Sequence, residues 1–108
     1  TSFGSTAYNL SFGGPIVYNT FHSLLLTPIA PLNNRSYRNL TNSIVLPQNK
    51  QIRLVPKETK NLIITIDGEN KIYNNVEKIE TVINQKTIKC FRNKEYNFVK
   101  KINEKFLN

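Results

Sequence analysis

Along most of the chain apolar residues fall in short runs broken by Pro, Asn and Lys, and the spacing is that of strands. Residues 24–26 are a continuous Leu run closed by Thr27-Pro28, which predicts a buried strand stopped by proline. Residues 44–46, 51–55 and 61–66 are rich in β-branched side chains and predict three more. Residues 51–54 alternate, so one face should be wet, whereas 62–66 are almost continuously apolar and predict a strand covered on both faces. Asp67-Gly68 then predicts a hairpin into Lys71-Ile72-Tyr73, and residues 76–82 and 85–91 add two further strands. Near the end the period changes. Val99, Ile102, Phe106 and Leu107 sit at helical spacing with Lys100, Lys101, Glu104 and Lys105 opposite, predicting an amphipathic helix across a sheet edge.

The stretch Gly4-Ser5-Thr6-Ala7-Tyr8-Asn9-Leu10-Ser11-Phe12-Gly13-Gly14-Pro15 breaks this texture with hydroxyls, a tyrosine and three glycines. Gly4 suits a sharp entry at positive φ, and Ser5 or Thr6 suits an N-cap. Gly13-Gly14-Pro15 must end any helix begun there. On spacing alone the segment is either a capped structural helix or a cluster of amides and hydroxyls able to read a nucleotide. Thr27-Pro28-Ile29-Ala30-Pro31 reads as a rigid proline turn. Residues 32–42 read as polar loop, with Arg35 and Arg38 either solvated or free to hold phosphate.

As a string, residues 4–17 resemble the GSTAYxLSxGGPIV signature of NAD kinases, and residues 27–31 resemble that family's TPIxP. Tyr37-Arg38, Ile44-Val45-Leu46-Pro47, Asp67-Gly68 and a Phe- and Lys-rich last segment follow in order, so the resemblance spans essentially the whole chain. It implies a mainly β, sandwich-like C-terminal domain, with a short helix at the GSTAY motif and a helix at the C-terminus. Residues 1–108 would form the C-terminal portion of that NAD-binding domain. The start at Thr1, inside the motif, and the absence of Met fit a piece of a longer chain.

The activity implied is transfer of a phosphoryl group from ATP or polyphosphate to the adenosine-ribose 2′-hydroxyl of NAD, giving NADP, with Mg²⁺ or another divalent metal. The resemblance carries Thr6, Ala7, Tyr8, Asn9, Leu10 and Ser11 over as the dinucleotide-binding set, with Ala30 and Glu69 as further contacts. Thr6 would lie near the adenine, Tyr8 against the sugar-phosphate region and Ser11 as a hydroxyl partner. No catalytic residue is expected here, because the family's GGDG carboxylate and its Asn-Glu pair are not among these residues; the isolated chain should be inactive. Phe3 and Ser2 depart from the residues usual before the glycine, and Glu69 stands where many members carry Gln. Two alternatives remain open: a related diacylglycerol or sphingosine kinase, and a non-enzymatic basic binding module.

Composition narrows this modestly. One hundred and eight residues make one domain at most, small for an enzyme that binds two nucleotides. Fifteen Lys and Arg against seven Asp and Glu give +8, which draws phosphate-bearing ligands by steering. The cations, Lys57, Lys60, Lys71, Lys78, Lys86, Lys89, Arg92 and Lys94 among them, lack interleaved aromatics, so no nucleic-acid partner is expected. No apolar run reaches 18 residues, so no membrane partner is expected either. The single Cys90 reads as a buried structural thiol in a reducing, cytoplasmic setting, and the single His22 as structural. The acidic residues form no acid–base pair. The resemblance also implies binding to the rest of the same polypeptide, and a homo-oligomer, dimer or tetramer, is expected.

Overall fold

A computed structural model describes residues 1–36, 38–58 and 61–107, so Tyr37 of the Tyr37-Arg38 match and Lys60 lie outside the described residues. The chain is mainly β, with six strands and two helices among the described residues, and it divides into two compact units. The first comprises Thr1–Gln48 with Asn84–Asn108, the second Asn49–Ile83.

In the first unit, β1 (Ser23–Leu26) pairs antiparallel with β2 (Ile44–Pro47), Leu24 facing Leu46 and Leu26 facing Ile44. Leu24 is the buried apolar side chain at the centre of this unit. Proline closes both strands as expected, since it lacks the N–H that would extend a ladder. Helix α2 (Phe98–Phe106) is capped by Asn97, whose side chain accepts from the Lys100 N–H at 3.1 Å. The helix was expected to lie across a sheet edge. Its aromatic contact is instead with the segment after the glycine pair, Phe98 meeting Tyr18 at 4.7 Å between ring centroids. The expected strand over 85–91 is also absent: those residues are irregular, and Cys90 is exposed rather than buried. Their alternation has no neighbouring strand to pair with, and an alternating pattern without a partner does not make a ladder. His22 is exposed as well.

In the second unit, β4 (Leu62–Ile66) and β5 (Glu69–Tyr73) form a hairpin whose two turn residues both take positive φ, Asp67 at 50° and Gly68 at 82°. This is the mirror-image turn that an Asp-Gly pair favours. The second ladder joins β3 (Ile52–Leu54) to β6 (Ile79–Thr81), a strand shorter than the expected 76–82. The expectation that β4 is covered on both faces is corrected. Ile63 and its cross-strand partner Ile72 are 70% and 71% exposed, because among the described residues no other strand or helix of this unit stacks on them. Among the described residues each ladder has two strands and none joins another.

A charge cluster ties the β3–β6 ladder. Glu80 lies 3.2 Å from Arg53 Nε and 3.0 Å from Lys78 Nζ, and it accepts from the Gln51 side chain. The hydrogen bond from Lys78 does most to hold the Glu80 carboxyl below the ordinary glutamate range, with the Lys78 and Arg53 charges adding against desolvation. A carboxylate whose pKa is depressed on folding lends stability above its ordinary value and loses it as pH falls through the lowered one. In an NMR titration Glu80 should therefore change protonation below the usual glutamate range, and Lys78→Met should move the midpoint upward. A midpoint unmoved by Lys78→Met would show that the pair is not what lowers it.

Candidate nucleotide-binding turn

The motif segment folds in two steps rather than as one capped helix. A 3-10 turn runs over Phe3–Thr6, Ala7 breaks it at φ −103° and ψ −130°, and α1 covers only Tyr8–Ser11. Neither Ser5 nor Thr6 acts as the expected N-cap. Ser5 is fully buried, donating its hydroxyl proton to Ser2 O at 2.7 Å and accepting from the Val17 N–H at 3.0 Å. That hydroxyl closes the chain after the glycine pair onto the turn, so a buried donor and a buried acceptor are both satisfied. Gly4 does not take the expected positive φ; its N–H donates to Thr1 Oγ1 at 3.2 Å. The left-handed exit falls at Gly13, φ 78°, as a helix C-terminus requires.

Asn9 holds the two motif blocks together. Its Nδ2 donates to Ser5 O at 3.0 Å and to Pro15 O at 2.9 Å, while its Oδ1 accepts from Thr27 Oγ1 at 2.5 Å. Thr27 also bonds Ser43 Oγ at 3.0 Å, just before β2. Both Nδ2 protons of Asn9 are thus in use, and toward a ligand it offers only the second lone pair of Oδ1. The amide lies over Gly14: a Cβ there would fall 2.0 Å from Asn9 Oδ1, which explains the second glycine of the pair by space alone.

The other expected site residues divide by exposure. Tyr8 is 74% exposed, Ala7 and Ser11 are exposed, and Thr6 and Leu10 are half-buried. No hydrogen bond among the described residues uses the hydroxyl of Thr6, Tyr8 or Ser11. Ala30 forms the bend after β1 at φ 46°, a left-handed conformation that costs a residue with a Cβ about 1–2 kcal/mol. Asn9 and Thr27 thereby bring the Thr6–Ser11 set and the Thr27–Pro31 bend onto one scaffold. Glu69 belongs to the second unit, where it opens β5 opposite Ile66.

Residues read from the sequence only as surface charge also reach the turn. Arg92, Lys101 and Lys105 line a hollow of about 320 Å³ together with Thr6 and Ala7. Among the described residues no three His, Cys, Asp or Glu come together, so these residues do not fit a divalent metal site. No described helix is long and apolar enough to cross a membrane.

Removing the Asn9 side chain should cost about 1–3 kcal/mol, since the carbonyls of Ser5 and Pro15 lose their donor while the Thr27 hydroxyl keeps only Ser43. Gly14→Ala should destabilise by displacing the same amide. Both appear as a lowered Tm of the full-length protein, and an unchanged Tm in both would contradict the role given to Asn9.

The ATP-NAD kinase C-terminal domain family matches residues 1–91. NAD kinase of Streptococcus agalactiae serotype Ia is 40% identical over 108 residues, 99% of this chain and 39% of that protein. NAD kinase of Streptococcus mutans serotype c is 43% identical over 88 residues, and that of Streptococcus pneumoniae serotype 19F is 46% identical over 90, each match covering 82% of this chain and 32% of the relative. The chain thus spans about two-fifths or less of the length of these relatives. With the motif turn, the proline bend and their order all in place, the chain belongs to the ATP-NAD kinase C-terminal domain family.

Proposed function

We propose that the protein containing this chain transfers the terminal phosphoryl group of ATP or polyphosphate to the adenosine-ribose 2′-hydroxyl of NAD, giving NADP. In that reaction the 2′-oxygen forms a bond to phosphorus and the bond to the leaving phosphate chain breaks. The hydroxyl proton passes to a carboxylate outside this chain, by resemblance that of a GGDG motif. This chain supplies the wall that binds the acceptor. Thr6 and Tyr8 offer hydroxyls to the adenosine side, Ala7 and Leu10 offer apolar contact, Ser11 offers a hydroxyl, and Asn9 positions the rest while keeping one lone pair for the ligand. Ala30 lends backbone from the bend, and Glu69 is assigned a contact from its own unit.

The observation that carries this reading is the bonding of Asn9. It occupies the segment's internal polar groups and fixes the two motif blocks to each other, while the hydroxyls of Thr6, Tyr8 and Ser11 have no partner among the described residues. Any Mg²⁺ or other divalent cation in the reaction would be held by phosphate oxygens and by residues outside this chain. A cytoplasmic enzyme, bound as a dimer or tetramer, completes the reading; the apolar pair Ile63 and Ile72 offers surface for such contacts.

The test is an assay of the full-length protein for NADP formation, run with ATP and with polyphosphate. Thr6→Val and Tyr8→Phe should each raise the KM for NAD about tenfold, the equivalent of about 1.4 kcal/mol, and change kcat little. The isolated chain should make no NADP. Lipid phosphorylation by the full-length protein without NADP formation would overturn the reading, as would an unchanged KM in both variants.

A further inference from the structure

We propose that the hollow between the motif turn and the C-terminal segment holds the phosphates of a nucleotide through Arg92, Lys101 and Lys105. The inference rests on the reading that Thr6 and Ala7 face a nucleotide, and it adds a wall that the family match does not reach, since that match ends at residue 91. At about 320 Å³ the hollow lies at the lower end of small-molecule sites, which span roughly 300–1,000 Å³. Three cations line it beside the apolar wall of Phe3, Tyr96, Phe98 and Ile102, and no carboxylate does. The neighbouring hollow, lined by Glu95 and Glu104 beside Arg92 and Lys101, has mixed charge and lacks this preference for an anion.

The three cations are arranged for the task. The Arg92 guanidinium lies 4.3 Å from the centroid of the Tyr96 ring, a contact that uses its flat face and leaves its N–H edge for paired oxygens. Lys101 and Lys105 are one turn apart on α2 and so share a side of it. Glu104 reaches Lys101 Nζ at 3.4 Å, and Lys105 Nζ lies 5.2 Å from the Phe106 ring, so both ammonium groups keep donors free. Like charges gathered around one hollow repel one another, and a phosphate converts that repulsion into attraction. Thr6 and Ala7 line the same hollow, so a base or sugar against the turn would have these cations beside it for its phosphates. Those phosphates belong either to the dinucleotide or to the donor.

The experiment is calorimetric titration of the full-length protein with NAD, NADP, ATP and adenosine in turn, at low and raised salt. Replacing Arg92 and Lys105 by Ala should raise the Kd of at least one phosphate-bearing ligand about tenfold and flatten its salt dependence. Adenosine affinity should stay the same. The ligand affected identifies the source: NAD and NADP for the dinucleotide, ATP for the donor. A Lys50→Ala/Lys71→Ala protein controls for the loss of two charges and should bind as the parent does. If the Ala variant fails to fold, Lys101→Gln with Lys105→Gln serves instead, with the same expected shift. Unchanged affinity for all phosphate-bearing ligands, beside a loss in Thr6→Val, would overturn the inference and leave the dinucleotide reading intact. No change in any of these variants would sink both.

Discussion

The hydrogen bonds of the Asn9 side chain are the constraint on which the candidate site depends. One amide reaches back to Ser5 O, forward to Pro15 O and across to the Thr27 hydroxyl. Each such bond contributes only about 1 kcal/mol net, but leaving a half-buried carbonyl unpaired costs more than making the bond gains. The amide therefore ties three points of the chain to one side chain. Gly14 is part of the same arrangement, because any larger residue would occupy the position of the amide.

The motif's polar side chains consequently do two kinds of work. Ser5 and Asn9 are turned inward and spend their groups on backbone and on Thr27, fixing the path from the 3-10 turn to Val17. Thr6, Tyr8 and Ser11 are left outward on a frame they do not have to hold up. A short helix of four residues could not keep such side chains in place by its own ladder, since helices that short are marginal in water. Preorganisation comes from the side-chain bonds around it.

The strands pose a different physical problem. An isolated two-stranded ribbon is marginally stable, and three such ribbons account for the six strands of the described residues. Leu24 is buried, but Ile63 and Ile72 face outward across the β4–β5 ribbon. Apolar side chains in that position gain little from folding unless something covers them, at about 25 cal/mol per Å² removed from water.

Local chemistry in the sequence determined much of this protein. The Asp67-Gly68 hairpin, the proline-stopped β1, the glycine exit at Gly13 and the helix over residues 98–106 each follow from one or two residues acting on their own backbone, and the long motif placed the family. Tertiary structure decided the rest. Whether Ser5 caps a helix or is buried under Val17, whether residues 85–91 find a strand partner, and whether Cys90 and Ile63 are covered all depend on what lies opposite, which periodicity does not encode. The same holds for the site: the outward hydroxyls lie in a readable string, but the bond from Asn9 to Thr27 and the approach of Arg92 and Lys105 to Thr6 join residues 18 to 99 positions apart, a separation that only folding brings within reach.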